Sequence, residues 1–176
     1  MRRVRYHVAM SLDGYIAEAD GGYDWIPKDP DIDFTALFNQ FDTFLIGRKT
    51  YELMLRAGQG SMPGNRLFVF SRTLQQRDYP GVTIVAADQE KLVNSLRAEA
   101  GKDIWLFGGG ELFASLLKAG LVDTVEIAVL PVMLGAGIPM LPPPAAETRL
   151  KLTRHEIYKK SGIVWLDYDV VSDARP

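Results

Sequence analysis

The chain has 176 residues, 47% apolar and 24% charged, enough for one domain with a sizeable core and short for two. Its formal net charge of -2 offers no global field for nucleic acid or an anionic membrane, so an anionic ligand has to be held by a local cluster of donors. There is no cysteine and there are two histidines, His7 and His155, which excludes disulfides, thiolate metal ligands and a cysteine nucleophile and leaves little material for a metal site.

The basic start Met1-Arg2-Arg3-Val4-Arg5 is followed by no long apolar stretch, so no secretory signal is expected and the cytoplasm is the expected location. Val4, Tyr6, Val8 and Met10 alternate with Arg5, His7 and Ala9, the period of a strand. A loop rich in Gly, Asp and Pro then runs from Ser11 to Pro30. The spacing of Ile32, Phe34, Leu37 and Phe38 predicts a helix over 31–40, with acids at its start. Thr43 to Ile46 reads as a buried strand ending at Gly47, and Arg48 to Arg56 as a helix. Strands follow at Leu67–Phe70 and Val82–Ala86. Asp88 is placed to cap a helix reaching about Ala100, Ile104–Phe107 is a further strand, and Gly109–Ala119 a further helix. Val125–Leu130 is a strand. The uncharged stretch from Ile127 to Ala146 contains five prolines and two glycines, so it reads as a strand and an interfacial loop, not a membrane span. Leu150–Tyr158 and Ile163–Val171 flank Lys159-Lys160-Ser161-Gly162 as a hairpin. This alternation, closed by a hairpin, predicts one α/β domain over 1–176 with a mixed sheet.

Three strand ends carry chemistry. At Gly47-Arg48-Lys49-Thr50 a strand feeds a helix whose free N–H groups and positive dipole end suit an anion. Two cations in that first turn work against the dipole unless an anion lies between them and the helix. At Ser71-Arg72 a hydroxyl and a guanidinium fork follow a strand; alone, this reads more readily as a surface turn with an exposed arginine. At Phe107-Gly108-Gly109-Gly110-Glu111-Leu112 three glycines permit close approach of a ligand to bare N–H groups. The dinucleotide fingerprint of doubly wound folds fails here, because Phe113 stands where its third glycine belongs; no Gly-Lys-Ser/Thr follows, so a Walker loop fails too.

In this order and spacing the three turns resemble the dihydrofolate reductase superfamily. Ala9-Met10-Ser11-Leu12-Asp13-Gly14-Tyr15-Ile16-Ala17, Asp24-Trp25, Gly120-Leu121-Val122-Asp123 and Pro131–Pro139 are similar to the reductase domain of the bifunctional riboflavin deaminase-reductase and its stand-alone bacterial relatives. The resemblance implies a central mixed sheet of about eight strands with flanking helices, NADPH as cofactor, a homodimer, and reduction of 5-amino-6-(5-phosphoribosylamino)uracil or a related heterocycle. It further implies that Gly47, Arg48, Lys49, Thr50, Ser71 and Arg72 surround the adenosine 2′-phosphate and pyrophosphate. Phe107, Gly108, Gly109, Gly110, Glu111 and Leu112 would hold the pyrophosphate and nicotinamide end, with a cis Gly-Gly peptide, and Ala9 and Ile16 would flank the nicotinamide.

Asp31 and Asp13 are the candidate proton-relaying carboxylates, with Asp31 and Asp33 equally suited to cap a helix. Trp25 and Phe34 are candidate walls for an aromatic substrate, with core packing as the plain reading; His7 reads as structural. Departures from the folate enzymes (Asn65 in place of their substrate arginine, no threonine in Gly135–Ile138, Phe113 in place of tyrosine) favour the riboflavin-like branch. A dihydrofolate or pterin reductase and a non-catalytic NADPH-binding module are the alternatives.

Overall fold

The computed structural model describes residues 1–171; the last five positions of the expected domain lie outside the described residues. Apolar runs bounded by glycine, proline and charge fold into β1 (Val4–Ser11), β2 (Tyr15–Ala17), α1 (Phe34–Phe38), β3 (Phe41–Gly47), α2 (Arg48–Arg56), β4 (Arg66–Phe70) and β5 (Thr83–Val85). They continue with α3 (Gln89–Ala98), β6 (Asp103–Gly108), α4 (Gly110–Lys118), β7 (Thr124–Leu130), β8 (Ile138–Pro139), β9 (Leu150–Tyr158) and β10 (Ile163–Val170).

Eight strands form one sheet in the order β5-β4-β3-β6-β1-β7-β10-β9. β5, β4, β3, β6, β1 and β7 pair in parallel, and β10 runs antiparallel to both β7 and β9. Parallel strands are covered on both faces, which divides the core in two. On one face Tyr6, Leu45, Leu106 and Val125 pack with Val93 and Leu96 of α3 and Leu112, Phe113 and Leu116 of α4. On the other, Phe44, Ile46, Trp105 and Ala128 pack with Leu37 of α1 and Tyr51 and Met54 of α2. Alternate residues of β3 thus enter different cores, as a pleated strand requires.

Three local expectations need correction, and the burial of β1 adds a fourth observation. The helix predicted over 31–40 shrinks to five residues, because Asp33 caps it through Oδ1 and Ala36 N (2.8 Å) and Phe41 already belongs to β3. Asp88 stands at the N-cap of α3, but its side chain makes no capping bond; its backbone is left-handed (φ 54°). The loop from Ser11 to Pro30 contains β2, which pairs with β8 as a separate two-stranded sheet. The polar positions of β1 are not a solvent face: the strand is central, and His7 is buried beside its apolar neighbours. No helix of the described residues is long and apolar enough to cross a membrane.

Candidate functional site

The strand order decides where the three turns meet. β4, β3 and β6 are consecutive and parallel, so Ser71, Gly47 and Gly108 leave the same carboxyl edge of the sheet side by side. β1 adjoins β6, which adds Ala9 to the same neighbourhood. In open α/β sheets, ligands bind outside the carboxyl ends of such strands.

The approach is close. A Cβ on Gly47 would stand 3.3 Å from both Gly108 O and Gly109 N, and one on Gly109 3.3 Å from Thr50 Oγ1. The Gly108–Gly109 peptide is cis, and Gly108 has φ 112°, a region that suits glycine. α2 and α4, nine residues each, both begin at this edge after an N-capping glycine, and neither N-cap supplies a side-chain hydrogen bond. Two sets of helix-start N–H groups therefore face one place with their dipoles aligned toward it. Lys49 Nζ lies 3.4 Å from Glu111 Oε1, bridging the two first turns. Arg48 Nη1 donates to Glu52 Oε1 at 2.8 Å within α2.

Ser71 is buried and its hydroxyl is turned into its own loop, accepting from Thr73 N (3.1 Å) and Leu74 N (3.0 Å). Arg72 is exposed and, among the described residues, forms no ion pair, so its fork is open to a ligand. A cleft of about 670 Å³ runs between Ala87, Asp88 and Gln89 at the start of α3 and Ser115 of α4, and none of the three turns lines it.

The remaining candidates divide. Ala9 and Phe107 are half-buried on the α1–α2 face, while Leu112 is sunk in the opposite core. Ile16 is half-buried in the middle of β2. Trp25 packs against the α1–α2 core with its Nε1 buried and unpaired, and Phe34, at the start of α1, is 49% exposed. The two therefore present aromatic surface on the side where Ala9 and Phe107 lie.

The carboxylates are committed to structure. Asp13 accepts from Ser11 Oγ (2.6 Å), Gly135 N (2.7 Å) and Leu134 N (3.1 Å), tying the loop after β1 to the loop after β7. The Ser11 hydroxyl first, with those N–H groups, holds its carboxyl below the ordinary range. Asp31 is exposed and receives Lys160 Nζ at 2.7 Å, an ion pair that raises the lysine's pKa. Asp29, which the sequence reading passed over, is 4% exposed; it accepts from Asp31 N (2.9 Å) and Ser161 N (3.2 Å), and the Ser161 hydroxyl and these N–H groups lower its pKa. Asp29 and Asp31 thus pin the loop before α1 to the tip of the β9–β10 hairpin. The only sequence signal for Asp29 is its place in Asp29-Pro30-Asp31, a turn pattern.

The chain belongs to the RibD C-terminal domain family, whose model matches residues 2–164. It is 35% identical over 183 residues to the uncharacterized protein YyaP of Bacillus subtilis (strain 168), covering 95% of this chain and 94% of that one. It resembles the crystal structure of a protein assigned to riboflavin biosynthesis from Shewanella sp. PV-4 (TM-score 0.80, 27% identity, 97% and 99% of the two chains covered). Dihydrofolate reductase from Enterococcus faecalis, complexed with NADP(H), aligns with a TM-score of 0.66 at 17% identity over 96% of each chain. The fold is that of dihydrofolate reductase.

Proposed function

We propose that this family member is an NADPH-dependent reductase of a small heterocycle, of the type that reduces 5-amino-6-(5-phosphoribosylamino)uracil in riboflavin biosynthesis. The observation that carries the reading is the convergence of two uncapped helix starts and the free Arg72 at one sheet edge. Family membership and the structural likeness to an NADP(H)-bound enzyme support it.

The residues present fit a phosphorylated dinucleotide. The missing Cβ atoms of Gly47 and Gly109 leave the backbone bare where α2 and α4 meet. N–H groups of Arg48–Thr50 and Gly110–Leu112 would take the pyrophosphate, and Lys49, Arg72 and the polar lip of Ser71 the 2′-phosphate. The cleft between α3 and α4 would take the adenine, with Ala9, Ile16 and Phe107 against the nicotinamide. NADPH supplies the hydride. The chain's part would be to hold the nicotinamide end beside Ala9, to exclude water with β2 and the loop pinned by Asp13, and to offer Trp25 and Phe34 as walls for a flat substrate.

Titration calorimetry is expected to show NADPH binding tighter than NADH. Arg72→Ala should weaken NADPH by about tenfold to a hundredfold, the value of a charge-assisted hydrogen bond, and leave NADH unchanged. Loss of absorbance at the reduced-nicotinamide band with 5-amino-6-(5-phosphoribosylamino)uracil tests turnover; equal affinity for both dinucleotides, with no oxidation of either, would overturn the reading.

We also propose a homodimer. Leu150, Leu152 and Ile157 of the edge strand β9 are exposed on the same face as Val164, Leu166 and Tyr168 of β10, an apolar strip interrupted by His155, which lies opposite Leu166. Met133 extends exposed apolar surface into the loop after β7. Light scattering at micromolar concentration should give twice the mass of one chain, and Ile157→Asp should return it to a monomer.

A further inference from the structure

A row of polar side chains crosses the sheet on the α1–α2 face, next to the position assigned to the nicotinamide. In register, His7 of β1 lies beside Glu126 of β7, Glu126 beside Asp167 of β10, and Asp167 beside Arg154 of β9. His7 is 8% exposed and Glu126 4%. Glu126 Oε1 accepts from Arg5 Nε (2.6 Å) and Thr124 Oγ1 (3.0 Å), while Oε2 accepts from Arg5 Nη2 (2.8 Å) and stands 3.7 Å from His7 Nδ1.

The imidazole is held in place from both sides. Trp105 meets it edge-on with ring centroids 5.2 Å apart, and Trp165 lies against it at 4.5 Å. Each indole is itself anchored, Trp105 Nε1 donating to His7 O (3.2 Å) and Trp165 Nε1 to Asp167 Oδ1 (2.7 Å). Nδ1 is shut away without a hydrogen-bond partner, facing Glu126. Nε2, on the far side of the ring, makes no hydrogen bond to protein among the described residues and is the nitrogen left for a ligand.

Packing alone gives no reason for this arrangement, since an apolar set of similar volume is often as stable as a buried charged one. Position gives one. His7 and Ala9 are alternate residues on one face of β1, about 6.6 Å apart along the strand. A group that protonates a substrate reduced over Ala9 has to stand on this face, within one side chain's reach.

We propose that His7 is the proton donor of the reduction and that Glu126 and Asp167 are its positioning residues. The proposal rests on the reductase reading. As hydride adds to the electrophilic carbon of a C=N or C=O bond, that bond's π pair moves to the heteroatom, which takes the proton from His7 Nε2. The substrate gains two electrons and two hydrogens, NADPH becomes NADP⁺, and neutral His7 regains a proton from solvent. Glu126 stands opposite Nδ1 at 3.7 Å and, with the two indoles, fixes the plane and direction of the ring. The charged groups around the imidazole are Arg5 from β1, Glu126 from β7, Asp167 from β10 and, beyond it, Arg154 from β9; β6 contributes Trp105, with Asp103 reaching Arg5 at 3.3 Å. The two carboxylates are shifted in opposite directions. Burial works to raise Glu126, but His7 and the two-pronged Arg5 outweigh it and hold it at about 2, whereas burial and the nearby Glu126 raise Asp167.

Two measurements test this on the full chain. His7→Gln should bind NADP⁺ within twofold of the parent by calorimetry, yet transfer hydride to 5-amino-6-(5-phosphoribosylamino)uracil about a hundredfold more slowly in single turnover, the usual scale of general-acid catalysis. The parent rate should fall as pH rises, and the variant should lack that dependence. A parent-like rate and pH profile in the variant would overturn the proposal. The second measurement needs no turnover and leaves His7 in place: ¹⁵N spectra of the parent labelled at its two histidines, with the exposed His155 replaced in His155→Gln for assignment. Saturating NADP⁺ together with the uracil product should shift the His7 Nε2 resonance, and an unmoved resonance with NADP⁺ bound overturns it as well. A parent that binds no NADP⁺ by calorimetry sinks the reductase reading itself, a result distinct from either of these.

Discussion

Replacing Gly110 by alanine is expected to damage both the fold and the cofactor edge. The new Cβ would stand 2.6 Å from Pro139 O, 2.9 Å from Met140 O and 3.2 Å from Pro142 Cδ. The nearest two are backbone atoms, and neither can retreat cheaply. Pro139 is in β8, paired with Tyr15 of β2, and Met140 N donates to Gly14 O at 3.0 Å. The strain must be relieved by tilting the start of α4 or by pushing the 138–142 segment outward. Overpacking of this kind costs about 1–3 kcal/mol, or a fall in melting temperature of about 3–10 °C for a domain of this size. Because the first turn of α4 is the proposed pyrophosphate cradle, NADPH affinity should fall at least about tenfold with it. Gly81→Ala is the control: its Cβ meets nothing within 4 Å, and no change beyond about 0.5 kcal/mol is expected. A Gly110→Ala protein with parent-like melting and NADPH binding would show that the helix start is not held as described.

Much of this site was legible in the chain because its parts are local. A strand ending in Gly47 and a helix opening on Arg48-Lys49-Thr50 are neighbours in sequence, as are the strand, glycines and helix around Gly108–Gly110, and composition changes sharply at both. The limits of α2 and of β9 follow from periodicity to the residue. What composition could not supply was which strand lies beside which. The order β4-β3-β6-β1 is a set of long-range pairings, and the convergence of three turns was inferred from a resemblance, not from the residues.

The misses have physical causes too. A five-residue α1 carries the same apolar spacing as a ten-residue one; its early end is set by Phe41 joining β3 beside β6. β2 and β8 are three and two residues long, too short for any period to show. Asp29 looks like a loop acid until the hairpin tip, 132 residues away, closes over it. His7 and Glu126 stand 119 residues apart. The signal available for them was slight: one glutamate inside the apolar run Thr124–Leu130, matched by an arginine and a histidine inside the first strand.

Glu126→Ala is expected to be among the most destabilising single substitutions in the chain, because it strands the largely buried Arg5 guanidinium, whose side chain is 16% exposed. Its remaining partners are the neutral Gln40 Oε1 at 2.8 Å and Asp103 at 3.3 Å, neither of which replaces a two-pronged carboxylate. Removing one member of a buried pair costs about 3–5 kcal/mol, against a typical total of about 5–15 kcal/mol for a domain. The pH dependence has a definite sign. Glu126 is held at about 2, below its ordinary value of 4.5, so its contribution is complete above 4.5 and is lost as pH falls toward 2. Asp167 acts oppositely: its carboxyl is raised, so its ionisation costs stability at neutral pH, and that cost eases on acidification. Denaturant melts of the parent should therefore weaken between pH 4.5 and 2, and Glu126→Gln should flatten that loss. The double variant Arg5→Met/Glu126→Leu should recover most of what either single change loses, since a well-packed apolar pair is often neutral or better than a buried ion pair. A double variant as unstable as the sum of its singles would deny the pairing. If the double variant is stable yet transfers hydride poorly, stability is not what keeps these charges against the sheet, and the need to hold the His7 ring in its orientation is.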